Sequence, residues 1–241
     1  MQNSGRILQI ELRKLASQER ALSSAWFFKT GKGEYGEGDI FLGVRVPDVR
    51  KVARRFFELS ESEVLKLLKR REHEFRLAAL LILGDQFRSG DDDTRRRIYK
   101  LYLQETKHIN NWDLVDLSAP SIVGEHLLIR SRKKLVSLAH SSSLWERRIA
   151  IVATFAFIRQ GQAETTLVIA KMLLRDREDL IQKATGWMLR EVGKRVGSDI
   201  LEGFLDQYAS VMPRTMLRYA LERLPLKKRA WYMKQGSRGV K

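Results

Sequence analysis

A tryptophan and an aspartate stand four residues apart near the middle of the chain, at Trp112 and Asp116. Residues at this spacing share one face of a helix, so an indole ring and a carboxylate would lie side by side. Both groups stabilise positive charge, the carboxylate by its own charge and the ring by its negative face. Taken alone, Trp112 fits a core position and Asp116 fits an ion pair with a neighbouring arginine. The pair is nevertheless a candidate site, because equivalent positions elsewhere in the chain carry arginine or lysine.

The chain is strongly basic, with 45 Lys and Arg residues against 29 Asp and Glu and a formal net charge of +16. Such a charge attracts polyanions, which makes nucleic acid the first candidate partner, an anionic membrane the second and an acidic protein the third. A basic protein that is merely soluble is the ordinary alternative. There is no cysteine, which excludes disulfides, a thiol nucleophile and thiolate metal sites.

The sequence predicts a soluble, cytoplasmic protein. The polar N-terminus lacks the apolar core of a signal peptide, and the longest apolar run, around residues 77–83, is too short to span a bilayer. Its 44% hydrophobic content is ordinary for a globular chain that buries a sizeable core.

Apolar residues recur at three- and four-residue spacing, which predicts an all-α chain. Ile149, Val152, Ala153 and Ala156 form one such stripe. Alternating strand patterns and Asn-Gly hairpin signals are missing, and each of the four prolines can sit at the start of a helix.

The predicted helices also repeat, with equivalent positions about 35 residues apart. These positions are Arg76, Asp113, Arg148, Lys183 and, in a weaker copy, Arg214. This period predicts a curved superhelical solenoid of antiparallel helix pairs, and HEAT-like repeats fit better than TPR repeats because no TPR signature residues stand out.

Stacked repeats would align the basic positions into a stripe that can follow a phosphate backbone. Simple solvation of an exposed helix face is the alternative for each residue taken alone. The stripe breaks at Asp113, beside Trp112 and Asp116, whereas Trp145 and Trp187 lie close to Arg148 and Lys183.

Five segments together resemble the AlkD family of bacterial DNA alkylation repair glycosylases, in the order and spacing of that family. They are Phe41–Pro47, Glu74–Ala79, Asn111–Asp116, Trp145–Arg148 and Ile181–Glu191. The resemblance covers most of the chain from about Asp39 to Arg195. The glycine-rich residues 26–40 do not align, and Arg45 replaces a polar uncharged residue of the best-known members.

The resemblance implies that Trp112 and Trp187 pack against the deoxyribose of the damaged nucleotide, that Asp116 is the catalytic carboxylate and that Arg148 holds the nearby phosphate. It further implies removal of cationic lesions such as 7-methylguanine and 3-methyladenine from duplex DNA, without base flipping, in base excision repair. The predicted DNA contacts are Arg148, Lys183, Arg190, Arg45, Arg76 and Arg214. No cofactor is expected, and the expected state is a monomer at the bacterial nucleoid.

Other motifs give weaker signals. The segment Gly31–Gly38 lacks the Gly-Lys-Ser/Thr ending of a phosphate-binding loop, and a connector or a flexible DNA-contacting loop fits it better. The four histidines show no metal-binding spacing, which predicts no metal site, and Asp91–Asp93 fits a helix N-terminus better than a calcium loop.

The sequence is interpreted as a single domain over residues 1–241. Residues 1–60 would hold N-terminal helices and the glycine-rich loop, residues 61–225 the repeats, and residues 226–241 a basic C-terminal helix or tail. The alternative function is a non-catalytic HEAT-like scaffold that binds nucleic acid or a protein, because helical repeats often only bind.

Overall fold

The structure is a computed structural model that describes residues 4–235. Over these residues the chain is all-α, as the sequence predicted, and an isolated parallel bridge between Ile40 and Glu72 is the one extended pairing. In chain order the α-helices are α1 (Gly5–Lys14), α2 (Gln18–Phe27), α3 (Val46–Arg55), α4 (Glu61–Leu68), α5 (His73–Ser89), α6 (Asp92–Gln104), α7 (Trp112–Ala119), α8 (Glu125–Leu127), α9 (Lys133–Ala139), α10 (Leu144–Val152), α11 (Phe155–Arg159), α12 (Glu164–Met172), α13 (Asp179–Arg195), α14 (Ser198–Tyr208), α15 (Arg214–Ala220) and α16 (Leu226–Gln235).

Helices begin close to every position that the repeat predicted. All five lie within the first five residues of a helix: Arg76 in α5, Asp113 in α7, Arg148 in α10, Lys183 in α13 and Arg214 in α15. The four prolines also lie where helices begin or change geometry: Pro47 in the first turn of α3, Pro120 at a π-helical turn, and Pro213 and Pro225 directly before α15 and α16. Asp91 caps α6 by accepting the backbone N–H of Thr94 at 2.8 Å, which confirms the predicted helix start.

The chain divides into two compact units, residues 1–122 and 123–241. The boundary falls inside the π-helical stretch Pro120–Gly124, where there is no change of composition and no linker. The sequence therefore offers no signal for a division at this point.

The first unit is built around α5, which packs against α1, α3, α4, α6 and α7. Every residue of α5 from His73 to Gly84 is buried, so only the end of the helix, from Asp85 on, has a polar outer face. A buried carboxylate at its start, Glu74, accepts the backbone N–H groups of Leu42, Gly43 and Val44 at 2.8 to 3.1 Å. Two of the segments that carry the sequence resemblance thus meet in space, and Glu74 fixes the loop that leads into α3.

The second unit is built around α13, which packs against α10, α11, α12, α14 and α15. Gly186 lets α13 and α15 approach closely, since a Cβ atom there would lie 2.4 Å from the backbone oxygen of Met216. The last helix, α16, is held by Tyr232, whose hydroxyl donates to Asp206 at 2.7 Å, and by an ion pair from Lys228 to Glu202. The residues of the basic tail beyond 235, including Arg238, lie outside the described residues.

Candidate functional site

Helix α7 carries both residues of the candidate pair. Its N-cap is the buried Asn111, whose side-chain oxygen accepts the backbone N–H of Trp112 at 2.8 Å. Trp112 begins the helix and Asp116 lies one turn later, and both side chains are half-buried. The structure thus brings the indole and the carboxylate onto one face of a short helix that packs against α5.

The indole of Trp112 belongs to an aromatic cluster at the end of α2. Its ring stacks on Phe28 with centroids 5.1 Å apart, and Phe27 meets it edge-on at 5.9 Å. Phe28 in turn stacks on Phe41 at 5.0 Å. The indole Nε1–H donates to the hydroxyl of Tyr35 at 3.3 Å. The glycine-rich residues that do not align with the family therefore pack directly on the predicted catalytic tryptophan.

Four buried charged side chains lie beneath this cluster. His73 contacts Asp113 through Nε2 at 2.8 Å and Asp39 through Nδ1 at 3.3 Å. Arg76 pairs with Asp39 at 2.7 Å and donates to Asn110. With His73 protonated, two cations offset two carboxylates in an interior where an unpaired charge would be costly.

Asp113 is thereby explained as a buried partner of His73. The other repeats carry arginine or lysine at this position, whereas the carboxylate of Asp113 balances the positive charge of protonated His73 inside the first unit.

The two acid partners shift the titration of His73. Burial alone would lower the pKa of its imidazole, but the charge of Asp113 and hydrogen bonds to Asp113 and Asp39 raise the pKa above the ordinary 6.5. Burial works against ionised Asp39 as well, yet hydrogen bonds and charge from His73 and Arg76 hold its pKa below 3.8.

The pH dependence of unfolding should reveal this shift. A raised pKa means that His73 stabilises the fold fully below pH 6.5 and that this stabilisation is lost as pH rises through the higher pKa. We expect the difference in unfolding free energy between wild type and His73→Gln to shrink with rising pH, by up to about 1.4 kcal/mol per pH unit. Urea denaturation of both proteins, at pH values from below 6.5 upwards, measures this difference in unfolding free energy. A difference that grows with pH would contradict a protonated His73 between Asp113 and Asp39.

The opposite side of α7 rests on polar contacts in the core. Ser118 donates to the backbone oxygen of Leu114 at 2.5 Å, and its hydroxyl lies 2.9 Å from that of Tyr102. Burial raises the pKa of Tyr102, and the negative charge of Asp116 adds to this effect. Tyr102 therefore stays protonated at neutral pH, and Asp116 is close enough to influence its titration.

In the second unit, helices α10 and α15 both pack on α13, which carries Lys183 and Trp187 one turn apart. Trp187 is half-buried with its ring centroid 6.1 Å from that of Phe155. The ammonium of Lys183 pairs with Asp179 at 2.6 Å on the surface. An aromatic ring and a cation thus share one face of α13.

Arg148 lies at the contact between α10 and α13. It is 5% exposed and donates to the backbone oxygen of Leu180, one of the first residues of α13, at 2.5 Å. This contact positions the start of the helix that carries Lys183 and Trp187. The phosphate contact implied for Arg148 stays a prediction.

The remaining predicted DNA contacts differ in their surroundings. Arg45 is exposed before α3, and Arg214 is exposed while donating to the backbone oxygen of Met233 at 2.6 Å. Arg190 is bound by the carboxylates of Glu222 and Glu191.

The stripe predicted from the repeat is not a surface feature at Arg148, which is 5% exposed, or at Arg76, which is 4% exposed. Asp39 and Asn110 hold the side chain of Arg76, so it stabilises the interior of the first unit. The repeat pattern does not indicate whether a basic residue pairs with a distant carboxylate and is buried there.

The sequence did not indicate that Tyr35 and Phe28 contact Trp112. It also did not indicate that His73, paired with Asp39, lies against Phe28. The aromatic run before the glycine-rich segment is the signal that could have indicated Phe28. Among residues 4–235, no three His, Asp or Glu side chains are grouped to hold a metal ion.

A comparison with family models identifies the family. The model described as DNA alkylation repair enzyme matches residues 8–224, which include α7 and α13. The chain belongs to this family. Membership supports an enzymatic role in the repair of alkylated DNA and confirms the resemblance noted from the sequence.

A solved structure shows the same fold. A protein from Enterococcus faecalis, titled a predicted DNA alkylation repair enzyme, superposes with a TM-score of 0.67 at 15% identity, over 88% of this chain and 97% of that one. No curated protein matches the sequence. Within the part of the chain that the structure describes, no helix has the length and apolar character needed to cross a bilayer.

Proposed function

We propose that this member of the DNA alkylation repair family is a DNA glycosylase. It hydrolyses the N-glycosidic bond of cationic alkylated purines, of the 7-methylguanine and 3-methyladenine type, in duplex DNA. The base leaves without being flipped into a pocket, and the product is an abasic site for base excision repair.

The observation that carries the proposal is the pairing of Trp112 with Asp116 on one face of α7. Both side chains are half-buried, so each keeps an accessible part while its position is held by the core. An aromatic face and a carboxylate at this spacing can stabilise one small cation between them. The net charge of +16 favours the polyanionic substrate that carries it.

The chemistry suits these groups. Alkylation at a ring nitrogen makes the purine cationic, so the bond between C1′ and the base nitrogen can break with its electron pair moving to the base, which becomes neutral. The sugar left behind has oxocarbenium character, and water adds to C1′ and releases a proton. Asp116 stabilises that sugar cation and orients the water, as carboxylates do in glycoside hydrolysis. No second carboxylic acid is required, because the departing base needs no protonation.

The second unit supplies an aromatic ring and a cation that can bind the nucleic acid. Trp187 offers another aromatic face for a deoxyribose, and Lys183 offers a cation for a phosphate one turn before it. The surface pair of Lys183 with Asp179 contributes little to stability, so a phosphate can replace the carboxylate at small cost. Arg148, Arg45, Arg190 and Arg214 complete the proposed phosphate contacts, and the protein acts as a monomer on bacterial nucleoid DNA.

DNA methylated by a simple alkylating agent provides a broad test. We expect the protein to release 7-methylguanine and 3-methyladenine, detected by chromatography, and to leave abasic sites in equal number. Salt-dependent binding to the same DNA without any released base would identify a non-catalytic scaffold instead. Absence of DNA binding at moderate salt would favour a protein-binding scaffold.

A further inference from the structure

The glycine-rich segment between α2 and α3 folds back onto α7. The hydroxyl of Tyr35 accepts the indole N–H of Trp112 at 3.3 Å and donates to the backbone oxygen of Phe27 at 3.5 Å. A tyrosine hydroxyl has one proton and two lone pairs, so both contacts can form at once. Together with the stacked ring of Phe28, they restrain the indole at its polar edge and on one face.

The backbone of this segment is shaped to bring Tyr35 there. Gly36 donates to the backbone oxygen of Lys29 at 3.0 Å, which turns the chain back towards the end of α2. A Cβ atom at Gly36 would lie 2.3 Å from the backbone oxygen of Phe28, and Gly38 has φ of +87°. A side chain at either position would disturb the turn that places Tyr35.

The far end of the segment is tied down as well. Asp39 pairs with Arg76 at 2.7 Å, and its other carboxylate oxygen accepts from the side-chain amide of Asn111 at 3.3 Å. Asn111 is the N-cap of α7, so the residues that flank Tyr35 are joined to the helix that carries Trp112. Tyr35 and Trp112 are therefore held in one packed region although they lie 77 residues apart.

We propose that Tyr35 is a positioning residue for Trp112, which it holds in the orientation that presents the free part of the indole to the nucleotide sugar. This inference rests on the proposed glycosylase function. Stabilisation of a cation by an aromatic ring requires the cation to lie over the ring face, so a rotated indole loses it. Tyr35 touches neither the sugar nor the base, and its effect on the reaction passes through Trp112.

Tyr35→Phe removes the hydroxyl and keeps the ring. We expect the single-turnover rate of 7-methylguanine release to fall about 3- to 10-fold, the effect of one neutral hydrogen bond, with unchanged DNA Kd and a Tm lowered by at most about 6 °C. Tyr208→Phe makes the same change on α14, where the ring packs on Phe204, and should leave the rate unaltered.

A double-mutant cycle separates positioning from general support of the fold. In a Trp112→Phe background the indole N–H is gone, so adding Tyr35→Phe should lower the rate no further. An equal loss in both backgrounds, or no loss in either, would overturn the inference.

A spectroscopic measurement decides the positioning without relying on activity. With ¹⁵N-tryptophan labelling, Trp112→Phe assigns the indole resonance of Trp112 by its disappearance. We expect Tyr35→Phe to shift that resonance and speed its exchange with water while Tyr208→Phe leaves it in place. An unmoved resonance would show that Tyr35 does not hold the indole. If wild type releases no base while Tyr35→Phe shifts the Trp112 resonance, the glycosylase proposal fails and the result supports only the contact between Tyr35 and Trp112.

Discussion

Replacing Asp116 with asparagine should lower the single-turnover rate of base excision about 10²- to 10³-fold, the usual loss when one preorganised electrostatic group is removed. Asparagine has the same shape but carries no charge to stabilise the sugar cation. The affinity for duplex DNA should stay nearly constant, because the substitution removes no cation that binds phosphate. Rates measured with enzyme in excess, together with Kd from a fluorescence titration of the same duplex, separate the two quantities.

The outcome that would contradict this role is a parallel loss of binding and excision, which would make Asp116 a structural residue. Asp199→Asn provides a matched control, since it removes an exposed carboxylate from the first turn of α14. The control should retain both rate and affinity within about twofold, the effect of a small surface change.

Replacing Asp39 with alanine should lower the free energy of unfolding by about 3 to 5 kcal/mol, the usual result of breaking a buried ion pair from one side. Its partners are themselves buried: the side chains of Arg76 and His73 are 5% and 3% exposed. Arginine cannot release its proton, so Arg76 would keep a buried charge with no carboxylate beside it, and Asn110 and the imidazole of His73 would remain as neutral or like-charged neighbours. Urea denaturation followed by circular dichroism measures the loss.

An ion pair on the surface provides the control for that measurement. Asp85 forms an ion pair with Arg88 at 3.1 Å on the outside of α5, where the arginine side chain is 73% exposed. Asp85→Ala should therefore cost less than about 1 kcal/mol. Similar small losses in both variants would show that the cluster around His73 contributes no special stability to the first unit.

The sequence predicted the helices well because their signals are local. Apolar spacing and the recurring basic position indicated the starts of α5, α7, α10, α13 and α15. Trp112 and Asp116 could be placed on one face for the same reason, since a spacing of four residues defines a helix face whatever the tertiary contacts.

The surroundings of these residues depend on contacts that the sequence does not display. Asp39 and Tyr35 lie in a glycine-rich segment without periodicity, and their partners on α5 and α7 are 34 to 77 residues away. Arg76 looked like an exposed phosphate ligand because its carboxylate partner lies outside its own repeat. The repeat in the sequence indicates which positions are structurally equivalent. Whether the charged side chain at such a position is buried depends on a pairing residue that is distant in the sequence.

The central claim is that this protein breaks the glycosidic bond of a cationic base, and a defined duplex with a single 7-methylguanine tests it most directly. Wild-type protein in excess should release free 7-methylguanine in a single exponential phase and leave one abasic site for each base released. Tight, salt-sensitive binding of that duplex, with no base released from it or from a 3-methyladenine duplex, would contradict the claim and leave a DNA-binding repeat protein without glycosylase activity.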